Sequence, residues 1–170
     1  MKSDGKNERG FTLIETLVYL ALFTLIIGGL MSASYALFES GDRNQAKAML
    51  QDEENFVIAK IMWALESAKT VSVPAVGTPG SALSVIKYDG STAQFCLSGV
   101  DVKYLGASGS CVSSGVILNN SNVAITALTF THVGSGSNPE YVQVDITATT
   151  KTAQGMTITL AESATRYLRK

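Results

Sequence analysis

The sequence has few of the residues from which catalytic and metal sites are usually built. Its 170 residues include one His and two Cys, too few for the Cys/His clusters that hold structural zinc. Charged residues make up only 16% of the chain, against the roughly 25% typical of soluble domains. The formal net charge is −1, so the chain has no basic field that would attract nucleic acid. These shortages argue against a metalloenzyme and against binding of nucleic acid through bulk charge.

Motifs for catalysis and nucleotide binding are also missing. The sequence contains no G-x-S-x-G, Walker or dinucleotide-binding pattern. The single imidazole, His132, lies in a run that predicts a β-strand, so we expect an exposed or hydrogen-bonded strand residue. Asp89, Asp101 and Asp145 fall in separate predicted elements and do not form a calcium-binding loop. We therefore predict that the chain is not an enzyme and uses no cofactor or metal.

The sequence does contain one long apolar segment near its N-terminus. Phe11–Phe38 has a single charged residue, Glu15. About 20 residues at 1.5 Å each suffice to cross a bilayer, so we predict a transmembrane helix. A cleaved secretory signal has an apolar core of only about 7–15 residues, which this segment exceeds. Glu15 needs its own explanation, because an ionised carboxylate deep in a membrane helix costs about 2.5–3.5 kcal/mol.

The residues around Glu15 supply that explanation. The run RGFTLIE (residues 9–15), followed by the apolar segment, resembles the class III signal of type IV prepilins. The resemblance implies cleavage between Gly10 and Phe11 by a prepilin peptidase, then N-methylation of the new Phe11 amine. Glu15 would be the assembly residue. The amine and the carboxylate lie one helical turn apart, so neighbouring helices can pair them and set the stagger between subunits.

The resemblance also implies a location and partners. The chain would enter the cytoplasmic (inner) membrane as a single-pass protein with its N-terminus inside, then join a filament at the cell surface or across the periplasm. Its partners would be the prepilin peptidase/methylase, other pilin subunits through helix packing, a membrane assembly platform, and the lipid bilayer before assembly. Nucleic acid is not an expected partner. The span lacks Pro; Gly28-Gly29 is either a weak point in the helix or a place of close helix packing.

Residues 39–69 predict an amphipathic helix that continues from the apolar segment, with Ser40-Gly41-Asp42 as a possible kink or break. Apolar residues recur at spacings of three, four and seven: Leu50, Val57, Ile61, Leu65 and Ala68. We expect Trp63 to lie in the core. Asp52-Glu53-Glu54 is expected on a solvated helix face.

Residues 70–170 predict an antiparallel β-rich head facing away from the cytoplasm. Residues 83–88 and 92–97 flank Asp89-Gly90-Ser91, a hairpin signal. Later strands are predicted at 100–105, 123–133, 141–149 and 156–160. A short solvated basic tail, with Arg166, Arg169 and Lys170, is predicted to follow. The predicted fold class is α+β, a pilin-like lollipop in four parts. These are a leader peptide (1–10), a transmembrane and assembly helix (11–38), an amphipathic helix (39–69) and the head (70–170).

Cys96 and Cys111 both lie in the predicted head. In an oxidising compartment a bridge across this spacing would stabilise the head by about 3 kcal/mol in the chain-entropy model. Two free buried thiols are the alternative. A cysteine pair in the middle of the chain differs from the C-terminal bridge of many major pilins, which favours a minor pilin or pseudopilin.

The sequence therefore predicts a minor pilin-like structural subunit of a type IV filament. A type II secretion or competence pseudopilin fits the same features. A membrane-tethered binding or adhesin module that does not polymerise is the alternative from a different class.

Overall fold

The computed structural model describes residues 12–134 and 139–168. The chain divides into two compact units between Gly41 and Asp42. A long helix, α1 (Leu13–Glu66), begins in the first unit, and the second unit contains its later part together with antiparallel sheets. The predicted α+β class is confirmed: a long N-terminal helix packs on antiparallel sheets, a pilin-like architecture.

α1 includes Ser40–Asp42 and ends at Glu66 rather than at the predicted Lys69. Ser67 marks the end, because its hydroxyl donates to the carbonyl of Ala64 at 3.1 Å. That bond satisfies one of the carbonyl groups that the last turn of a helix leaves without a partner. Strand β1 (Ala68–Val73) follows at once, since valine and threonine favour extended backbone.

Nine strands form two antiparallel sheets within the described residues. One sheet has the order β1, β3 (Ala82–Lys87), β4 (Thr92–Ser98), β5 (Asp101–Leu105), β6 (Val116–Ile117). The other has the order β2 (Pro79–Gly80), β7 (Val123–Val133), β8 (Tyr141–Lys151), β9 (Thr157–Tyr167). A one-turn helix, α2 (Cys111–Ser114), lies between β5 and β6.

The predicted hairpin is confirmed as β3 and β4, which pair antiparallel. Oδ1 of Asp89 accepts hydrogen bonds from the backbone N–H and the hydroxyl of Ser91, at 2.8 and 2.6 Å. Gly90 has a φ of 81°, a conformation that glycine adopts without steric cost. The turn is therefore stabilised by hydrogen bonds and a backbone conformation that lie within Asp89-Gly90-Ser91 itself.

β9 is longer than predicted. The predicted strand ends at Leu160, whereas β9 continues to Tyr167. It follows β8 in unbroken register from Lys151↔Thr157 to Tyr141↔Tyr167. Ala161, Glu162 and Ala164 beyond Leu160 are residue types that strands contain rarely, and the pairing with β8 stabilises the strand across them.

The core lies between the later part of α1 and the inner faces of the sheets. The predicted apolar stripe is confirmed, because Leu50, Val57, Ile61 and Leu65 are buried with Phe95 and Phe130 in one cluster. Full burial of such a side chain stabilises the fold by about 1.5–3 kcal/mol. The assignment of Trp63 to the core is wrong, since 50% of this residue is exposed.

Candidate functional site

The first unit offers an apolar helix surface that its described residues leave exposed. Every described residue from Thr12 to Gly41 is exposed. The large apolar side chains include Leu13 at 78%, Leu25 at 74% and Phe38 at 74% exposure. α1 is long and apolar enough to cross a membrane, and Leu13–Phe38 would span about 39 Å at 1.5 Å per residue. Such a surface is stable in lipid or against other apolar helices, and it is costly in water.

Glu15 lies in the first turn of this helix. The backbone N–H of Glu15 donates to the carbonyl of Thr12 at 3.1 Å. This hydrogen bond closes the first helical turn at Glu15. The partial positive charge of a helix N-terminus favours a carboxylate here. Its side chain is exposed and has no ion-pair partner in the part of the chain that the structure describes. Glu15 is thus positioned to accept a cation from outside the described helix.

Two threonine hydroxyls in the apolar segment are satisfied internally. Thr16 donates to the carbonyl of Leu13 at 2.8 Å, and Thr24 donates to the carbonyl of Ala21 at 2.9 Å. An unsatisfied donor costs several kcal/mol in hydrocarbon, so these bonds make both threonines compatible with lipid. Glu15 carries the one charge of Leu13–Phe38, and that charge has no ion-pair partner among the described residues.

Gly28 and Gly29 leave an open notch on the same segment. A methyl group built on either would meet nothing within 4 Å. Both residues are helical in the structure, and small residues of this kind let a second helix approach closely. Gly10 and Phe11, the predicted cleavage pair, lie outside the described residues.

Comparison with protein families gives one match at this end of the chain. Residues 5–31 match the family described as the prokaryotic N-terminal methylation motif. No curated protein and no solved structure matches the chain. The N-terminal segment is a class III, type IV prepilin-like signal sequence that continues into the long helix. The motif supports a type IV pilin-family precursor, a structural subunit rather than an enzyme, and it implies processing by a prepilin peptidase and assembly with other pilins. The apolar helix fits anchoring in the inner membrane.

Cys96 and Cys111 are joined as a disulfide in the structure, with their Cα atoms 6.1 Å apart. The bridge attaches α2 to β4. Lys103 adds a second connection, because its ammonium donates to the carbonyl of Val112 at 2.6 Å. The segment between β5 and β6 is therefore fixed to the sheet at two points.

His132 is a buried structural residue rather than an accessible base. It is 3% exposed, and each of its ring nitrogens lies within hydrogen-bonding distance of an oxygen atom. Nδ1 lies 3.1 Å from the carbonyl of Pro74, and Nε2 lies 2.7 Å from Oε1 of Glu140. Both nitrogens are therefore engaged, as expected for a hydrogen-bonded strand residue.

The acidic triplet does not form the solvated face predicted for it. Asp52 is exposed and Glu53 is half-buried, but Glu54 is fully buried. Oε1 of Glu53 accepts from the backbone N–H of Asn120, whereas neither carboxylate oxygen of Glu54 has a hydrogen-bond partner. Glu54 lies four residues after Leu50 and three before Val57, so the helical periodicity could have revealed its burial.

Burial raises the pKa of Glu54 from its ordinary value of 4.5 to about 7. The negative charge of Glu162 on β9 adds to this rise. The backbone of Ala148 opposes the rise but meets neither carboxylate oxygen in hydrogen-bonding geometry. The charged form of the Glu54 side chain is therefore disfavoured in the folded second unit.

The remaining predicted elements have structural roles. Asp89 lies in a turn, Asp101 in β5 and Asp145 in β8. No group of three or more His, Cys, Asp or Glu among residues 12–134 and 139–168 is arranged to hold a metal ion. The assignment of Arg166 to a solvated basic tail is wrong, because Arg166 belongs to β9 and pairs with Glu66; Arg169 and Lys170 lie outside the described residues.

Proposed function

We propose that this chain is a minor pilin-like structural subunit of a type IV pilus or a related filament. Prepilin peptidase cleaves after Gly10, the new Phe11 amine is methylated, and Glu15 receives the amine of a neighbouring subunit. One observation carries the proposal. The methylation motif runs into an exposed apolar helix in which Glu15 is the one charged side chain between Leu13 and Phe38.

The physical basis of assembly is an exchange of similar environments. The helix leaves lipid and enters a bundle of equivalent helices, so its apolar surface stays out of water in both states. The pairing of Glu15 with a methylated amine is the new contact. Such a pair is favoured in hydrocarbon because each charge alone would be costly there. Gly28 and Gly29 would admit the neighbouring helix at short distance.

The proposed organisation follows from the same scheme. Residues 1–10 are the leader and stay cytoplasmic, 11–38 form the transmembrane and assembly segment, and the β-rich head faces away from the cytoplasm. Residues 39–69 lead into the head, with the helix itself ending at Glu66. The mature chain then lies in a filament at the cell surface or across the periplasm, assembled by a membrane platform.

Two other functions fit some of these features. A type II secretion or competence pseudopilin would be processed and assembled in the same way, so it differs in the machinery rather than in the chemistry. A membrane-tethered adhesin would keep the anchor but would not require Glu15. The Cys96–Cys111 bridge in the middle of the chain favours a minor pilin or pseudopilin over a major pilin.

Intact mass and N-terminal sequencing of the protein from native membranes test the processing step. We expect a chain that begins with N-methylated Phe11. A Gly10→Val variant should remain unprocessed, because the added side chain would obstruct a pocket that accepts glycine, whereas Gly5→Val in the same leader should be processed normally. A chain that still begins at Met1 in cells with an active peptidase would contradict the proposal and favour the tethered module.

A further inference from the structure

The second unit carries an exposed aromatic and cationic surface that the proposed function does not use. We call it the Trp63 patch. It comprises Phe56, Lys60 and Trp63 on α1, Lys87 at the end of β3, and Tyr104 on β5. Phe56 is 52% and Trp63 is 50% exposed. Phe56, Lys60 and Trp63 are spaced four and three residues apart, which places them on one face of the helix.

Trp63 lies at the centre of the patch and contacts two cations. The ammonium of Lys87 is 4.3 Å from the centroid of its ring, and that of Lys60 is 4.9 Å from it. The ammonium of Lys60 also lies 5.7 Å from the ring of Tyr104. At exposed sites a cation over an aromatic ring is worth about 0.5–1 kcal/mol, so these contacts fix where two flexible lysine side chains hold their charges.

The two positive charges of the patch are not neutralised by direct ion pairs. Among the described residues, neither Lys60 nor Lys87 forms a salt bridge with a carboxylate. Asp89 is the carboxylate that responds to Lys87. Its pKa is lowered first by the hydroxyl and backbone N–H of Ser91 and only weakly by Lys87. The patch thus presents two ammonium groups, 4.9 and 4.3 Å from the centroid of one half-exposed indole, in a chain whose net charge is −1.

We propose that the Trp63 patch is a docking site for a carboxylate-rich segment of a partner protein. The two ammonium groups held at the Trp63 ring can each pair with one Asp or Glu side chain of such a segment. The exposed faces of Phe56 and Trp63 give the partner apolar area of the kind that dominates binding energy at interfaces. The number of cations favours an acidic protein segment over a nucleic acid, because binding of nucleic acid requires many cations along its backbone and the patch supplies two.

The experiment uses the full-length chain in a neutral detergent and the peptide acetyl-hexaglutamate amide as the probe. Trp63 is the one Trp of the sequence, so intrinsic fluorescence reports directly on the patch. We expect a saturable change in Trp63 emission with the peptide and none with hexaglutamine. The apparent affinity should fall about tenfold between low and physiological salt, because exposed charges are screened over roughly 8–10 Å.

Variants assign the effect to the lysines of the patch. Lys60→Gln together with Lys87→Gln should weaken peptide binding at least tenfold, whereas Lys60→Arg together with Lys87→Arg should retain it. The matched control pair, Lys47→Gln with Lys151→Gln, removes the same charge from exposed positions elsewhere and should bind like the parent. The charge-preserving arginine pair keeps the test decisive even if the glutamine pair folds poorly.

Three results would overturn the proposal. One is the absence of a saturable change with hexaglutamate, and another is equal weakening by the two glutamine pairs. The third is tighter binding of a dT12 oligonucleotide than of hexaglutamate, which would assign the patch to nucleic acid. The titration does not depend on cleavage or filament assembly, so its failure leaves the proposed function standing, and failed processing leaves this site standing.

Discussion

Nη2 of Arg166, near the end of β9, lies 3.0 Å from Oε1 of Glu66, the last residue of α1. Arg166 is paired in register with Val142, which is buried. Residues opposite each other in a sheet share a face, so Arg166 leaves the sheet on the side that packs against the core. The extra length of β9 is what brings its guanidinium to the end of the helix.

The Arg166–Glu66 pair should stabilise the second unit only slightly. Its side chains are 37% and 58% exposed, so water and salt weaken their attraction. We expect Arg166→Ala to lower the free energy of unfolding by less than about 1 kcal/mol, with Lys151→Ala as the unpaired control. A double-mutant cycle with Glu66→Ala, followed by urea unfolding, measures the coupling. A coupling above roughly 2 kcal/mol would show that the ion pair is stronger than its solvent exposure suggests.

The Cys96–Cys111 disulfide should stabilise the second unit more than the Arg166–Glu66 pair does. Replacing both Cys96 and Cys111 by Ala removes a closed loop with a sequence separation of 15, and the chain-entropy model gives a loss of about 3 kcal/mol. Thermal unfolding of the parent and the double variant measures this difference. Under reducing conditions the parent should approach the variant. Alkylation without prior reduction should add no mass to the native protein; two alkylated thiols would show that the bridge does not form in the cell.

Glu54 should make stability depend on pH. The folded chain keeps the proton of Glu54 up to a pH of about 7, whereas the unfolded chain releases it near 4.5. The folded state therefore binds more protons in this window, and stability falls as the pH rises through it. Glu54→Gln removes this titrating group. The free energy of unfolding of the variant, relative to that of the parent, should therefore rise by up to about 3 kcal/mol between acid and neutral pH.

Urea unfolding at several pH values, followed by Trp63 fluorescence, tests this difference. Asp52→Asn is the matched control, because Asp52 is exposed two residues earlier on the same helix. Its stability should follow that of the parent at every pH. Parallel curves for Glu54→Gln and the parent would mean that the buried carboxyl does not titrate in this window.

The fold was most predictable where local sequence determines it. The Asp89-Gly90-Ser91 turn and the apolar stripe of α1 carry their structural reasons within a few residues, and both predictions are confirmed. The predictions are wrong where contacts between segments distant in the sequence determine the structure. β9 is extended by its pairing with β8. Trp63 remains half-exposed, and the segment that reaches its ring from across the fold brings the ammonium of Lys87.

The candidate site was readable from sequence for a different reason. A peptidase and a methylase act on a short linear signal, so the residues that carry this chemistry are contiguous, as the match at residues 5–31 reflects. Glu54 illustrates the opposite case. Its position on the apolar stripe was visible, but the missing hydrogen-bond partner and the nearby Glu162 depend on the folded sheet.

Glu15→Ala separates filament assembly from membrane anchoring. Removing the carboxylate makes the helix more apolar, so insertion should be unchanged, and cleavage after Gly10 should proceed. The methylated amine of a neighbouring subunit would then lack its partner in hydrocarbon, and we expect incorporation into filaments to fall at least tenfold. Immunoblots of sheared filaments against the membrane fraction measure this ratio, with Asp52→Ala as an exposed carboxylate control on the same helix. Normal incorporation of Glu15→Ala into filaments would contradict the assembly role of Glu15. Function retained without filaments would identify a tethered module, because an anchor alone has no use for a charge that costs energy in the membrane.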